Sequence, residues 1–322
     1  MVAAFVVAMI LVGGATRLTD SGLSITEWDL EKGLIPPLTA ERWTEEFRLY
    51  QQTMEYQAQN FGMSLSEFQH IYLWEWGHRF LGKVLGVVFT LPALFFLLTG
   101  RLRGRFRVTG LLFVLGASQG AIGWWMVTSG LFDRLDVSPV RLAIHLGMAL
   151  IILALLLWVA IGALGAPRDG SKLGVSRVLA LFLIACVFMQ AMFGALMAGA
   201  DGGPAYADWP RIGGEWIPSS AFGLEPIWHN FTEDHATQHL VHRTFGYVVA
   251  LLALVIGGYA LARGQGAARI AGSLVGAVAL VQVLLGVLTV LAASPLSLSL
   301  MHQAGAVALW IAAVTSARLA WR

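Results

Sequence analysis

Long apolar runs punctuate this chain near residues 1–16, 76–98, 108–127, 142–164, 177–199, 240–262, 269–291 and 300–318. Each is close to the ~20 residues that cross a hydrocarbon core as a helix, so the pattern predicts eight transmembrane helices. Two long polar stretches, 17–75 and 200–238, interrupt it. Within the first, Trp43, Phe47, Tyr50, Phe61, Leu65, Phe68 and Tyr72 recur among charged residues over 41–72, as in an amphipathic helix lying over the membrane face and capping what lies beneath. The first apolar run reaches only about 24 Å against a core of about 30 Å. Residues upstream of Met1 are therefore expected. A cleaved signal peptide is the competing reading, and it fits poorly because Gly13, Gly14 and Ala15 continue into a loop rich in motif residues.

Composition agrees with the pattern: 57% of the 322 residues are hydrophobic and 12% charged, where soluble chains carry about 25% charged residues. This is an all-α integral membrane protein, and nothing in it suggests a nucleic-acid partner. The net charge of +2 matters less than its distribution. Arg101, Arg103, Arg105 and Arg107 fill one short loop, Arg168, Lys172 and Arg177 a second, Arg263 and Arg269 a third, and Arg318 and Arg322 the C-terminus. Basic loops face the cytoplasm, so both termini are expected there, in a bacterial inner membrane, with the acidic long segments outside. The single cysteine, Cys186, lies inside an apolar run and excludes an intramolecular disulfide or a cysteine metal site.

The chain also reads as two copies of one four-helix unit, 1–165 and 166–322. WEWGHRFLGKVLG surrounds His78 and QHLVHRTFGYVVA surrounds His242; RLAIHLGMA surrounds His145 and LSLMHQAGA surrounds His302. The odd-numbered helices share Q-x-x-x-G, as Gln119 and Gly123, Gln190 and Gly194, Gln282 and Gly286, a face suited to close packing and interhelical hydrogen bonds. Because four is even, both copies cross in the same sense, which predicts two pseudo-symmetric bundles.

Ionisable residues inside spans mark pathways or cofactors. His78, His145, His242 and His302 all fall near the outer ends of their runs, in what should be the first turns of their helices, so each half offers two imidazoles at one depth. Facing imidazoles across an apolar slot suit haem iron better than zinc, which wants four ligands or an open water. Two pairs imply two haems toward the outer face. A single histidine would more simply be a satisfied polar residue; the duplicated pair argues otherwise. Arg79 and Arg243 follow two of these histidines and can either snorkel to the interface or pair with a haem propionate. The halves differ at one position: Glu75 precedes His78 by three residues where His239 precedes His242. A carboxylate beside a haem pocket can serve as acid or base, or stabilise developing positive charge; the plain alternative is a solvated interfacial glutamate. The asymmetry suggests chemistry in the first half and electron transfer in the second.

Trp74, Trp76, Trp124, Trp125, Trp209, Trp216 and Trp228 read as an interfacial belt. His235 and His239 stand four apart but sit beside His229, Glu233 and Asp234 in what reads as an ordinary polar loop, and His70 has no assigned role. On residues alone, two other classes stay open: a non-catalytic di-haem b cytochrome using the same histidines, and a duplicated transporter, which would call for broken helices and midplane charges that are absent.

Through GGATRLTDSGLSITEW, PPL at 36–38, EFQHIYLWEWGHR, RLAIHLGMA, QHLVHR and MHQAGA, the chain resembles the haem A synthase family along essentially its whole length. It is similar to the mitochondrial and proteobacterial branch, lacking the outer-loop cysteine pair of many Gram-positive members. The resemblance implies oxidation of a methyl group of haem O to the formyl group of haem A by successive hydroxylations, for the cofactor of cytochrome oxidase. It implies that His78 and His145 ligate the substrate haem with Glu75 as catalytic carboxylate, and that His242 and His302 ligate a haem b that passes electrons. Expected partners are membrane lipid, haem O synthase, cytochrome oxidase assembly proteins and an electron-transfer partner that the sequence does not identify. The implied ligand set carries a difficulty: two histidines on the substrate iron leave it no open position. Either one histidine lets go, or the methyl is oxidised by electron loss and water attack.

Overall fold

The computed structural model describes residues 1–27, 34–102, 104–132, 134–165 and 176–320. Trp28 of the first motif and Arg103, Arg168, Lys172 and Arg322 of the basic loops lie outside the described residues. Every named element among them is helical: α1 (Val2–Leu18), α2 (Ala40–Tyr50), α3 (Met54–Ala58), α4 (Leu65–Leu98), α5 (Phe106–Phe132), α6 (Pro139–Ala163), α7 (Arg177–Gly199), α8 (Asn230–Glu233), α9 (His235–Arg263), α10 (Gly266–Leu291) and α11 (Leu296–Ala320). Seven of these, α4 to α7 and α9 to α11, are long and apolar enough to cross a membrane, and α1 is a shorter apolar helix. The chain is a multi-pass all-α membrane protein.

Two helices begin well before their apolar runs because polar caps lie upstream. Ser64 and Glu67 form a reciprocal capping box that starts α4 at Leu65, eleven residues ahead of position 76. Asp234 accepts from the amides of Ala236 and Thr237 and starts α9 at His235. Such caps satisfy amides that the first turn leaves unpaired. The extension corrects two sequence expectations. His145, His242 and His302 lie about two turns into their helices and His78 deeper still, not in first turns. The stretch 41–72 is not one helix but α2, α3 and the start of α4.

The chain divides into two compact units, Met1–Ala149 and Leu150–Arg322, with the boundary inside α6. In the first, α1 packs along α4, α2 also lies on α4, and α4 touches α5. The N-terminal part of α4 stands in an aromatic cluster, with Tyr50, Tyr56, Phe68, Ile71, Tyr72 and Ile25 buried together and Trp43 and Phe47 against them. Trp43 meets Tyr72 edge-on at 5.1 Å between ring centroids, and Tyr50 stacks on Phe68 at 5.3 Å. Edge-to-face and offset arrangements of this kind suit the ring quadrupoles.

In the second unit α7, α9, α10 and α11 close a ring, each packing on two of the others. Small residues permit it: a Cβ on Gly257 of α9 would stand 2.9 Å from the Gly276 Cα of α10, so the two backbones meet there as membrane helices do when packing replaces hydrophobic drive. The Trp310 indole donates to the Leu150 carbonyl at 3.0 Å, tying α11 to α6 within this unit.

One buried acid lies beside this aromatic cluster. Glu55 of α3 is 1% exposed and its Oε2 has no hydrogen-bond partner. Burial, with Asp136, Glu75 and Asp20 adding repulsion against the pull of Arg17, pushes its carboxyl from 4.5 up to about 8. Between those values the folded state holds a proton that the unfolded chain has released, so stability falls as pH rises from about 4.5 to about 8. Glu55→Gln, which cannot ionise, should flatten that loss and raise stability at pH 8 by at most about 5 kcal/mol, at about 1.36 kcal/mol per unit. Thermal unfolding of the solubilised protein at pH 5 and pH 8 measures it; an unchanged pH dependence would remove Glu55 as its source.

Candidate functional site

Each of the four intramembrane histidines rests on a glycine of the preceding long helix. An added Cβ at Gly13 of α1 would stand 2.9 Å from Cε1 of His78, and one at Gly123 of α5 2.9 Å from Cε1 of His145. At Gly194 of α7 the distance to His242 is 3.0 Å, and at Gly286 of α10 that to His302 is 3.0 Å. No larger residue fits without displacing a ring, so these glycines are required by close approach. A rigid backbone thereby sets each imidazole's position.

Three of the four carry a second restraint. Gln119 donates to the His145 carbonyl at 3.0 Å and lies 3.4 Å from its Nε2. Gln190 donates to the His242 carbonyl at 3.0 Å and lies 3.1 Å from Nδ1. Gln282 does the same for His302, at 2.9 and 3.2 Å. The interhelical hydrogen bonds expected of these amides are thus present, and each is directed at a histidine.

Two of the rings stand close together. His242 and His302 face each other with ring centroids 6.4 Å apart and planes at 77°. His78 and His145 share the first unit, and the Nδ1 atoms of both are buried without a hydrogen-bond partner. Buried polar atoms in folded proteins are nearly all paired, so ring nitrogens left over in apolar surroundings mark more than packing.

Glu75 is not a solvated interfacial residue. It is 3% exposed and its carboxylate is fully engaged: Oε1 accepts from Arg79 at 2.6 Å, and Oε2 accepts from the Ser24 hydroxyl at 2.7 Å and the Ile25 amide at 2.8 Å. Arg79 also donates to the Ile25 and Glu27 carbonyls. Acid and guanidinium together clamp the loop that follows α1. In the second unit His239 occupies the matching place with different chemistry. Its Nε2 donates to the Gly202 carbonyl at 2.7 Å and its Nδ1 accepts from Arg243 at 2.8 Å. Those roles require the neutral Nε2–H tautomer. Arg243 further donates to the carbonyls of Asp208, Arg211 and Tyr206. Both arginines thus hold loop backbone, a role sequence reasoning missed because carbonyl acceptors leave no mark in side-chain identity. Ser24 and Gly13 were missed too, although both stand inside the quoted motif.

Other candidates separate from the site. His235 pairs with Gln238 at 3.2 Å, and His235 and His239 form no candidate metal cluster among the described residues. His70 is exposed on α4. Trp124, Trp125, Trp209, Trp216 and Trp228 are all more than two-fifths exposed, as belt residues are. Trp209 and Trp216, with Tyr247, Leu240 and Arg243, line a cleft of about 280 Å³ in the second unit.

The chain is similar throughout to proteins of one kind. It is 47% identical over 327 residues to a heme A synthase of Maricaulis maris, covering all of this chain and 94% of that protein. The heme A synthase of Parvibaculum lavamentivorans is 46% identical, covering 97% and 90% of the two chains, and that of Caulobacter vibrioides 43% identical, covering 100% and 94%. The family model for cytochrome oxidase assembly proteins named COX15-CtaA matches residues 1–314. With that match over nearly its whole length, this chain belongs to the COX15-CtaA family of cytochrome oxidase assembly proteins.

Proposed function

We propose that this chain makes haem A from haem O, oxidising a ring methyl to a formyl group in a membrane-embedded site of the first unit, while a haem b in the second unit passes electrons. The observation that carries the reading is the His242–His302 pair. Their ring centroids stand 6.4 Å apart, so both imidazoles could hold one haem between them. When bound there, haem supplies the one-electron chemistry that side chains lack.

The rest falls to the chain itself. His78 and His145 hold the substrate haem, seated by Gly13 and Gly123. Glu75, beside His78 on α4, is the group that takes or gives a proton at the reacting carbon, exchanging it through its Ser24 partner. Arg243 has one guanidinium nitrogen, Nε, buried and unpartnered and lines the cleft of the second unit; it suits a propionate, and Arg79 is assigned the same role in the first unit. Counting α1 as an eighth span gives two pseudo-symmetric four-helix halves, 1–165 and 166–322. The basic loops then put both termini in the cytoplasm of a bacterial inner membrane and the histidines toward the outer face. Haem O synthase, other cytochrome oxidase assembly proteins and a separate electron carrier are the partners this chemistry calls for.

The test is acid extraction and chromatography of haems from membranes that co-express this chain with a haem O synthase, beside a control without it. Haem A, or its hydroxylated precursor, is expected only with the chain present. Haem O and haem b alone, with the protein haem-loaded, would make it an electron-transfer cytochrome instead.

A further inference from the structure

All four histidine seats share a glycine, and three of the four share a glutamine. Four residues before the seating glycine, α5, α7 and α10 each carry a glutamine, Gln119, Gln190 and Gln282, whose amide binds the carbonyl of the seated histidine and approaches its ring. On α1 the same place, four before Gly13, is Met9. The substitution is spatial as well as sequential. Gln190 lies 3.1 Å from a Cβ built on Gly246, four residues after His242, and Met9 lies 3.6 Å from one built on Gly82, four residues after His78. A thioether donates no hydrogen bond and accepts only weakly. Among the described residues His78 is therefore the one of the four histidines with no glutamine amide on its carbonyl or ring, and its Nδ1, like that of His145, is buried without a partner.

We infer that His78 is the axial ligand that releases the iron of the substrate haem, and that Met9 permits this by leaving the His78 turn without the amide that fixes the other three. The inference rests on the haem reading above and settles which member of the first pair gives way. His145 keeps Gln119 and stays bound; His242 and His302, each held by an amide, keep the second haem closed. Met9 is a positioning residue that acts through His78. A ring that swings on a flexible, apolar neighbour can return, which an iron site that must open in each turnover requires. Interhelical hydrogen bonds in membranes are modest, so the device biases release without abolishing ligation.

Carbon monoxide binding to the reduced, haem-loaded protein reads the open position directly, without turnover. In the native sequence one haem should bind carbon monoxide and the other should not. Met9→Gln should weaken that binding by about 3- to 20-fold, the factor that one such hydrogen bond supplies, with haem content unchanged. Gln190→Met should make the second haem reactive. Met9→Leu, which keeps bulk and lacks sulfur, should behave as the native protein. Equal carbon monoxide affinity in native and Met9→Gln proteins of equal haem content would overturn the inference, as would a Met9→Leu variant that behaves like Met9→Gln. Failure of the haem reading looks different: a folded protein with no haem absorbance at all, which would remove both.

Discussion

Glu75→Gln should lower haem A yield by at least about 100-fold, within the range of a lost general acid or base, while the haem content of the protein stays near normal. The isostere keeps an oxygen for Ser24 and Ile25 but removes the charge opposite Arg79, whose guanidinium is 17% exposed against 4% for the acid. Removing one partner of a buried pair costs about 3–5 kcal/mol when the other is stranded. Here Arg79 keeps its carbonyl partners at Ile25 and Glu27, so the loss of stability should fall below that range. Parallel measurement of haem A by chromatography and of thermal stability separates the two roles. If yield falls only as far as folded protein is lost, Glu75 is a loop clamp and takes no part in proton transfer. Ser24→Ala is the companion variant: it removes one bond to Glu75 without touching its charge, and should give a partial decrease.

His242→Ala should strip haem from the second unit altogether, leaving the first able to bind haem O but unable to complete oxidation. His302 alone offers a single nitrogen, and the space left opposite it would admit water or an external base. Added imidazole should therefore restore part of the low-spin absorbance, a rescue that general misfolding would not show. Full haem b content in His242→Ala without added imidazole would break the assignment of this pair. The effect should exceed that of any change at the glutamines, since those restrain a ligand and the histidine is one.

The sequence determined the membrane class, the approximate place of every long helix, and the four histidines that the proposed function uses. Those features live in hydrophobic runs and in residue types too costly to keep in lipid without a use, and both can be read position by position. It also showed Glu75 as the point where the halves part. Helix starts were less legible: α4 begins at a capping box eleven residues before its apolar run, and the aromatic cluster that shelters this extension joins residues from three helices. Tertiary structure alone decided what Glu75, Arg79 and Arg243 do with the rest of their hydrogen bonds, because beyond the Glu75–Arg79 and His239–Arg243 contacts one helical turn apart their partners are a hydroxyl and backbone groups more than thirty positions away. It alone turned the Q-x-x-x-G face from a packing stripe into a seat and a clasp for His145, His242 and His302, and so made Met9, an unremarkable residue in a short apolar helix, the exception at His78. A sequence specifies which groups exist and at what helical spacing. Which of them meet depends on how closely helices approach, and that is set by glycines whose role appears only when something is pressed against them.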